Sequence, residues 1–553
     1  MSRPPTRQRN QAPPLAGPGQ AAAPPGAGMP ASRGTRAWPA AAAYAPPVVA
    51  AATMLLLGFW GLARQSAMGN DEVASRWAAM LSLPELRHLL GNLDAVHGLY
   101  YLLLHGWVAV GTSPAVIRIP SVIAMAAAVA MTAIVGRRLT GSGWAGLFAG
   151  LIMALTPAIS YFAQTARSYA LVTACVMAAT LAFLRAMDAE AAGSSRSRLA
   201  RRWAFYGLLI ALGGYLNELS LVVLGAHAAT LLLARGRRQT AVRWAIAAVA
   251  AVLLVSPLLV VSIRQAGAVG WIPPPTPGDL WLLFRDDFGA TPGVAFFLLG
   301  CAVVAVLPPL RTRHRPGQAA ADAASEPARA WWASGGVSLP SVAVPLLVLP
   351  PAILIAESLI GHPLYVGRYV LYTEAGAALL AGAGIYRIGR WLAGRSGHGS
   401  ALWVPGVIIC ASTLVFQLGP QRNDRTPQVR LFDLGGPAAY VGAHARPGDG
   451  VLFFDSFYRK VRLGYPGDFR GVSDFAMAKS PVQVGNFDGT DQPFPVIRTR
   501  MLAHQRIWVV GRRPSAKVIS SSIRQQSRLL HQRFTLIARK HFSGVWVTLW
   551  RQR

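Results

Sequence analysis

Acidic residues are scarce in this chain. It holds 22 Asp and Glu against 53 Lys and Arg, a formal charge of +31 over 553 residues, so a carboxylate in an apolar setting stands out as a functional suspect. Cysteine is scarcer. Cys175, Cys301 and Cys410 are the only three; all sit in apolar segments with no CxxC spacing, which argues against a disulfide scaffold or a thiolate zinc site and for small buried hydrophobes. No GxxxxGK and no GxGxxG motif follows a strand-like run, so the chain offers no cytoplasmic nucleotide engine. An enzyme built on it would need a donor already carried in the membrane. A cleaved signal peptide would place the first apolar run much nearer Met1.

Long apolar runs are plentiful: 53% of residues are hydrophobic, and many stretches reach the ~20 residues a helix needs to cross a bilayer. The basic charge falls largely between these stretches, where membrane orientation accounts for it without a nucleic-acid partner. The expected fold is mainly α, a multi-pass plasma-membrane protein. Residues 1–43, rich in Pro, Gly and Ala and carrying Arg3, Arg7, Arg9, Arg33 and Arg36, read as a disordered basic cytoplasmic tail. Residues 44–418 read as a membrane domain of about eleven spans, near 44–64, 116–135, 144–162, 168–187, two within 203–234, then 244–265, 291–309, 338–358, 369–386 and 401–418. A polar linker is expected over 310–335. Arg137, Arg138, Arg185, Arg196 to Arg202, Arg235 to Arg243, Arg387 and Arg390 then share the cytoplasmic side.

The loop 65–115 falls outside, with helices lying along the interface. From 419 to 553 the texture is that of a small extracytoplasmic α/β domain, with strands at Val451–Phe454, Arg506–Val510, Phe534–Ile537 and Val545–Leu549. Its Arg and Lys would face anionic lipid or a phosphorylated polymer.

The chain is organised around Gly69-Asn70-Asp71-Glu72, two adjacent acids just beyond the first span. Asp71 can serve as a general base for a hydroxyl or position a divalent cation; the plain alternative is a helix cap followed by a solvated Glu72. Tyr161, Gln164 and Arg167 recur every three residues, which would bring them to one face of a helical turn near Tyr169. Arg118 starts the second span and Arg368-Tyr369 the tenth. Arginines at one level suit a phosphate gripped through paired donors, or serve as interface anchors. Asn217 and Glu218 mark an outer turn, where the acid faces a cavity as a counter-charge or sugar ligand. Trp271 can stack on a sugar or prenyl chain, or belong to the aromatic belt. His97, His105 and His362 have no metal-ligand pattern, and loop hydrogen bonding is their default.

Three stretches carry a family resemblance: Asn70-Asp71-Glu72, TPAISYFAQTARSYAL at 156–171 and HPLYVGRYVLYTEAGAALLAG at 362–382. Over about 44–418 the chain resembles the polytopic GT-C glycosyltransferases, especially the family-39-like group of protein mannosyltransferases and aminoarabinose transferases. The basic tail after the last span looks like actinobacterial members. The resemblance implies a polyprenyl-phosphate sugar donor, with mannose or arabinofuranose transferred to a cell-envelope glycan, lipoglycan or protein hydroxyl. It implies Asp71 in acceptor activation. A substrate-binding set follows: Glu72, His97, Tyr101, Arg118, Tyr161, Gln164, Arg167, Tyr169, Asn217, Glu218, Trp271, Arg368 and Tyr369. Transfer is metal-assisted or metal-independent by subgroup; in the first case Asp71 and Glu218 would hold Mg2+, Mn2+ or Ca2+. Many relatives carry Thr-His or a similar pair where this chain has Asn217-Glu218. The competing classes are a transporter or flippase of a lipid-linked sugar, which would show paired repeats and broken helices, and a noncatalytic envelope scaffold.

Overall fold

Apolar helices dominate the architecture because run after run of Ala, Leu, Val and Ile exceeds the membrane-crossing length. A computed structural model describes residues 40–553 apart from 66, 309–335, 430–431 and 513–519. Nearly all of the tail read over 1–43, and the linker over 310–335 with it, lie outside the described residues. Residues 44–553 form one unit.

Among the described residues six helices are long and apolar enough to cross a membrane: Tyr44–Arg64, Pro114–Thr140, Tyr169–Ala191, Arg238–Arg264, Leu339–Ile360 and Val404–Asn423. Two bent pairs raise the number to eight if each is one span: Gly143–Leu155 with Pro157–Ala163, bent by 67°, and Pro277–Phe288 with Pro292–Val306, bent by 72°. Eleven spans are not shown. The stretches read as the fifth, sixth and tenth are helical, but Arg196–Leu216 opens with Arg196, Arg198, Arg201 and Arg202. Its partner Glu218–Leu233 is short, and Glu374–Ser396 carries Glu374, Arg387, Arg390 and Arg395. Pro157 accounts for the first bend: proline has no amide hydrogen and holds its predecessor Thr156 extended, at φ −67° and ψ 123°.

Close helix contact depends on small side chains. A Cβ on Gly146 would meet the Ala133 carbonyl at 2.4 Å, so the helices Pro114–Thr140 and Gly143–Leu155 pack backbone to backbone there. Between the first two candidate spans lie three short helices, Asn70–Met80, Leu83–Asn92 and Gly98–Trp107, in the stretch 65–115 where helices along the interface were expected.

The C-terminal part is a small mixed-sheet domain. Its strands are β1 (Gly450–Phe454), β2 (Ser473–Asp474), β3 (Met477–Lys479), β4 (Thr490–Asp491), β5 (Arg506–Gly511), β6 (Phe534–Phe542) and β7 (Val545–Gln552). Five form one sheet in the order β2-β1-β5-β7-β6, with β1 parallel to β2 and β5, and β7 antiparallel to β5 and β6. The unbroken runs in β1 and β5 follow from burial on both faces. Val451, Phe453, Trp508 and Val510 join the core that runs through the helices; Leu452, Ile507 and Val509 join a second core under the helices Phe494–Leu502 and Ser521–Arg533.

Candidate functional site

Asp71 and Glu72 open the helix Asn70–Met80, where the exposed amides at a helix start favour negative charge. Consecutive helical residues point about 100° apart, and the two acids meet opposite environments. The Glu72 side chain is 1% exposed and the Asp71 side chain 38%.

Glu72 is saturated by protein donors. Arg118 Nε donates to Oε1 at 2.7 Å and Nη2 to Oε2 at 2.8 Å, a two-point clasp. The amides of Ala166 and Gly69 add bonds of 3.0 and 3.2 Å. Arg118, fully buried, also donates to the carbonyls of Gln65 and Ala67 at 2.8 Å each. The pair therefore ties the second candidate span to the chain on both sides of Asp71.

Arg167 faces Asp71 at 3.8 Å and Asp94 at 4.0 Å. Its Nη1 donates to the Tyr101 hydroxyl at 2.8 Å, and that hydroxyl donates to Asp94 Oδ2 at 2.7 Å. Nε of Arg167 is buried without a partner among the described residues, a donor aimed at no protein oxygen. Two residues on, the Tyr169 hydroxyl accepts from Arg368 Nε at 3.0 Å. The Arg368 guanidinium lies 5.3 Å from the Trp271 ring centre and 5.5 Å from that of Tyr369, within cation–π range. Asp71 acts electrostatically on Arg167, Arg368, Tyr169 and Tyr369 alike.

His97 shares this setting: it is buried, 6.0 Å from the Tyr101 ring, with Nδ1 unpartnered among the described residues. Burial first, and the Arg167 charge second, push its imidazole well below the usual histidine range. Unfolded, it titrates near 6.5. Below that pH the unfolded chain binds a proton that the folded chain refuses, so this contribution to stability is full above about pH 6.5 and falls as the solution acidifies, by up to ~1.4 kcal/mol per pH unit. Replacing His97 by Gln is expected to flatten the fall in unfolding temperature between about pH 6.5 and 5. An unchanged slope would show that His97 is wet.

Other expected site residues are placed elsewhere. The helical turn that was to align Tyr161, Gln164 and Arg167 ends at Ala163. Gln164 Nε2 donates to the carbonyls of Gly58 and Trp60 at 2.8 and 2.9 Å, and its Oε1 accepts from Gln65 at 2.8 Å, closing off the first span. Tyr161 packs edge-on against Phe162 at 5.1 Å. Asn217 caps its own turn by accepting from the Leu219 amide at 3.0 Å, and Glu218 beside it keeps a buried Oε2 without a partner among the described residues. Among the described residues no group of three or more His, Cys, Asp or Glu that could hold a metal ion is found.

Several residues escaped the sequence reading. Asp94, in the left-handed region at φ 60°, gave only a short Asn-Leu-Asp turn as signal. A small cavity beside Arg368 is lined by Asp286, Asp287, Thr373 and Glu374. Thr373 donates to Asp287 at 3.0 Å, and Glu374 keeps a buried Oε2 without a partner. Their signal was an acid inside an apolar run. Tyr465, far along the chain, accepts from the Met68 amide at 2.9 Å; burial pushes its phenol up to about 12, so it stays protonated in the physiological range.

A model of the dolichyl-phosphate-mannose-protein mannosyltransferase family matches residues 99–261. The chain superposes on the crystal structure of ArnT from Cupriavidus metallidurans bound to undecaprenyl phosphate with a TM-score of 0.54 and 12% identity, covering 91% of this chain and 97% of that one. The apo structure of the same protein gives 0.53 at 12% identity, with the same coverage of 91% and 97%. The chain thus has the GT-C fold. No curated protein matches its sequence.

Proposed function

We propose that this protein is a membrane glycosyltransferase that moves a sugar, mannose or arabinofuranose, from a polyprenyl-phosphate donor to a hydroxyl of an envelope glycan, lipoglycan or protein. The observation that carries this reading is the half-exposed Asp71 facing Arg167 at 3.8 Å, next to a second guanidinium, Arg368, seated among Tyr169, Trp271 and Tyr369. An acid able to accept a proton thereby adjoins cations able to hold a phosphate. The match to the mannosyltransferase family and the fold shared with a protein that binds undecaprenyl phosphate support it.

The acceptor oxygen attacks the anomeric carbon from the face opposite the phosphate. Its proton passes to Asp71 as the new C–O bond forms and the bond to the phosphate oxygen breaks. The polyprenyl phosphate leaves with the electron pair. Arg167 and Arg368 stabilise the charge growing on it, and need no reorganisation because Tyr101, Asp94 and Tyr169 already hold them. The aromatic rings give the sugar or first isoprene unit an apolar wall. In this reading Glu72 and Arg118 hold the loop and touch no substrate. The Lys and Arg of the short loops support an orientation with the N-terminus in the cytoplasm, and with Asp71 and the C-terminal domain that touches its helix on the opposite side.

Purified full-length protein incubated with a panel of polyprenyl-phosphate sugars and envelope acceptors, with products read by mass spectrometry, is expected to form one glycosylated product. Arg368→Ala should raise the donor KM at least about tenfold, and Arg368→Lys should recover only part of this because an ammonium lacks the planar fork. Transport of the intact lipid-linked sugar with no product, or an unchanged KM in Arg368→Ala, would overturn the reading.

A further inference from the structure

Asp71 depends on where its helix sits, and the helix Asn70–Met80 is gripped from two sides. On one side is the Glu72–Arg118 clasp. On the other, 388 to 397 positions away in sequence, is the C-terminal domain. The Tyr465 hydroxyl takes the Met68 amide at 2.9 Å, three residues before Asp71. Arg76 Nη1 donates to the Gly464 carbonyl at 2.8 Å, five residues after it. One residue further, the Trp77 ring meets the Phe487 ring edge-on at 5.6 Å. Between these contacts the backbone of Gly464 lies directly against Val73: a Cβ there would meet Val73 Cγ2 at 2.7 Å, and the three nearest atoms it would face all belong to Val73.

We propose that Tyr465 and Gly464 of the C-terminal domain are positioning residues for the Asp71 helix, so that the domain forms part of the transfer site without touching substrate. The inference rests on the reading of Asp71 as the base. The Met68 bond sets the height of the loop entering the helix, and the Gly464–Val73 contact sets the distance of the helix from the domain. Domain and membrane helices share one continuous apolar core, so a shift at this seam reaches Asp71 through rigid packing. A displacement of about 1 Å at a reacting group can cost on the order of 100-fold in rate, more than one lost surface hydrogen bond accounts for.

The test uses full-length variants and separates kcat from KM. Tyr465→Phe, which keeps the ring and removes the hydroxyl, is expected to lower kcat about tenfold with the donor KM held within about twofold and an unchanged unfolding temperature. Gly464→Ala should lower kcat by a similar factor. Adding Val73→Ala, which removes the methyl groups it strikes, should restore kcat to within about threefold of Val73→Ala alone. Wild-type kcat in Tyr465→Phe, or a loss in Gly464→Ala that Val73→Ala leaves in place, overturns the positioning role. Asp71→Asn run alongside tells the two readings apart. Normal turnover there overturns the assignment of the base itself, whereas an inactive Asp71→Asn with a fully active Tyr465→Phe overturns the positioning role alone.

Discussion

Asp71→Asn is expected to lower turnover by about 10²- to 10⁴-fold, the range supplied by a positioned general base, with donor KM and unfolding temperature close to wild type. The substitution is nearly isosteric and removes only the proton-accepting charge. Folding does not rest on that charge. Capping of the helix start falls to Glu72, whose Oε2 takes the Gly69 amide at 3.2 Å, and Arg167 remains held by Tyr101 at 2.8 Å and near Asp94 at 4.0 Å. Steady-state kinetics on purified protein, paired with a thermal melt, check both halves. Wild-type turnover in the variant would remove Asp71 from the reaction, and a large drop in unfolding temperature would reassign it to structure.

Arg118→Met is expected to fail in the opposite way, through the fold. The side chain is fully buried and makes four bonds, two to Glu72 and one each to the Gln65 and Ala67 carbonyls. Methionine fills much of the space but leaves Glu72 as a buried charge held by amides alone. Breaking a buried pair from one side typically costs ~3–5 kcal/mol, because the remaining ion has lost its water without gaining a partner. The double variant Glu72→Leu, Arg118→Met removes both charges, and should recover a substantial part of that loss, since the two sites are directly coupled. Thermal unfolding in one detergent across wild type, both single variants and the double variant gives the cycle. A single-variant cost below about 1 kcal/mol would put the pair in the class of solvated surface bridges.

The adjacent acids show how much of the site was legible. Their isolation among apolar residues marked the stretch, and a helix start was weighed there with Asp71 as cap and Glu72 solvated, whereas it is Glu72 that takes the Gly69 amide and is buried. Which acid faced the site was not legible, because one residue of helical rotation separates an acid saturated by Arg118 from one left half exposed. Tyr161, Gln164 and Arg167 show the converse error. A three-residue spacing aligns side chains only while the helix lasts, and it ends at Ala163, sending Gln164 to the first span and Arg167 to Asp71. Asn217 was sorted correctly as a turn residue, but its oxygen is spent on its own backbone.

By itself the sequence determined a many-span helical membrane protein with a β-containing C-terminal part and a lone acidic pair after its first span. Run length, proline position and the spacing of basic residues are local quantities, and a bilayer reads them locally. Only the tertiary structure decided that Arg368 reaches the Tyr169 hydroxyl, two residues from Arg167, that Asp94 backs Arg167, that Glu374, with an oxygen unpartnered among the described residues, lines one cavity with Arg368, and that Tyr465 reaches the loop before Asp71. Those contacts join residues up to 397 positions apart, and their direction is set by how helices and sheet pack, a property of the whole core that no single stretch carries.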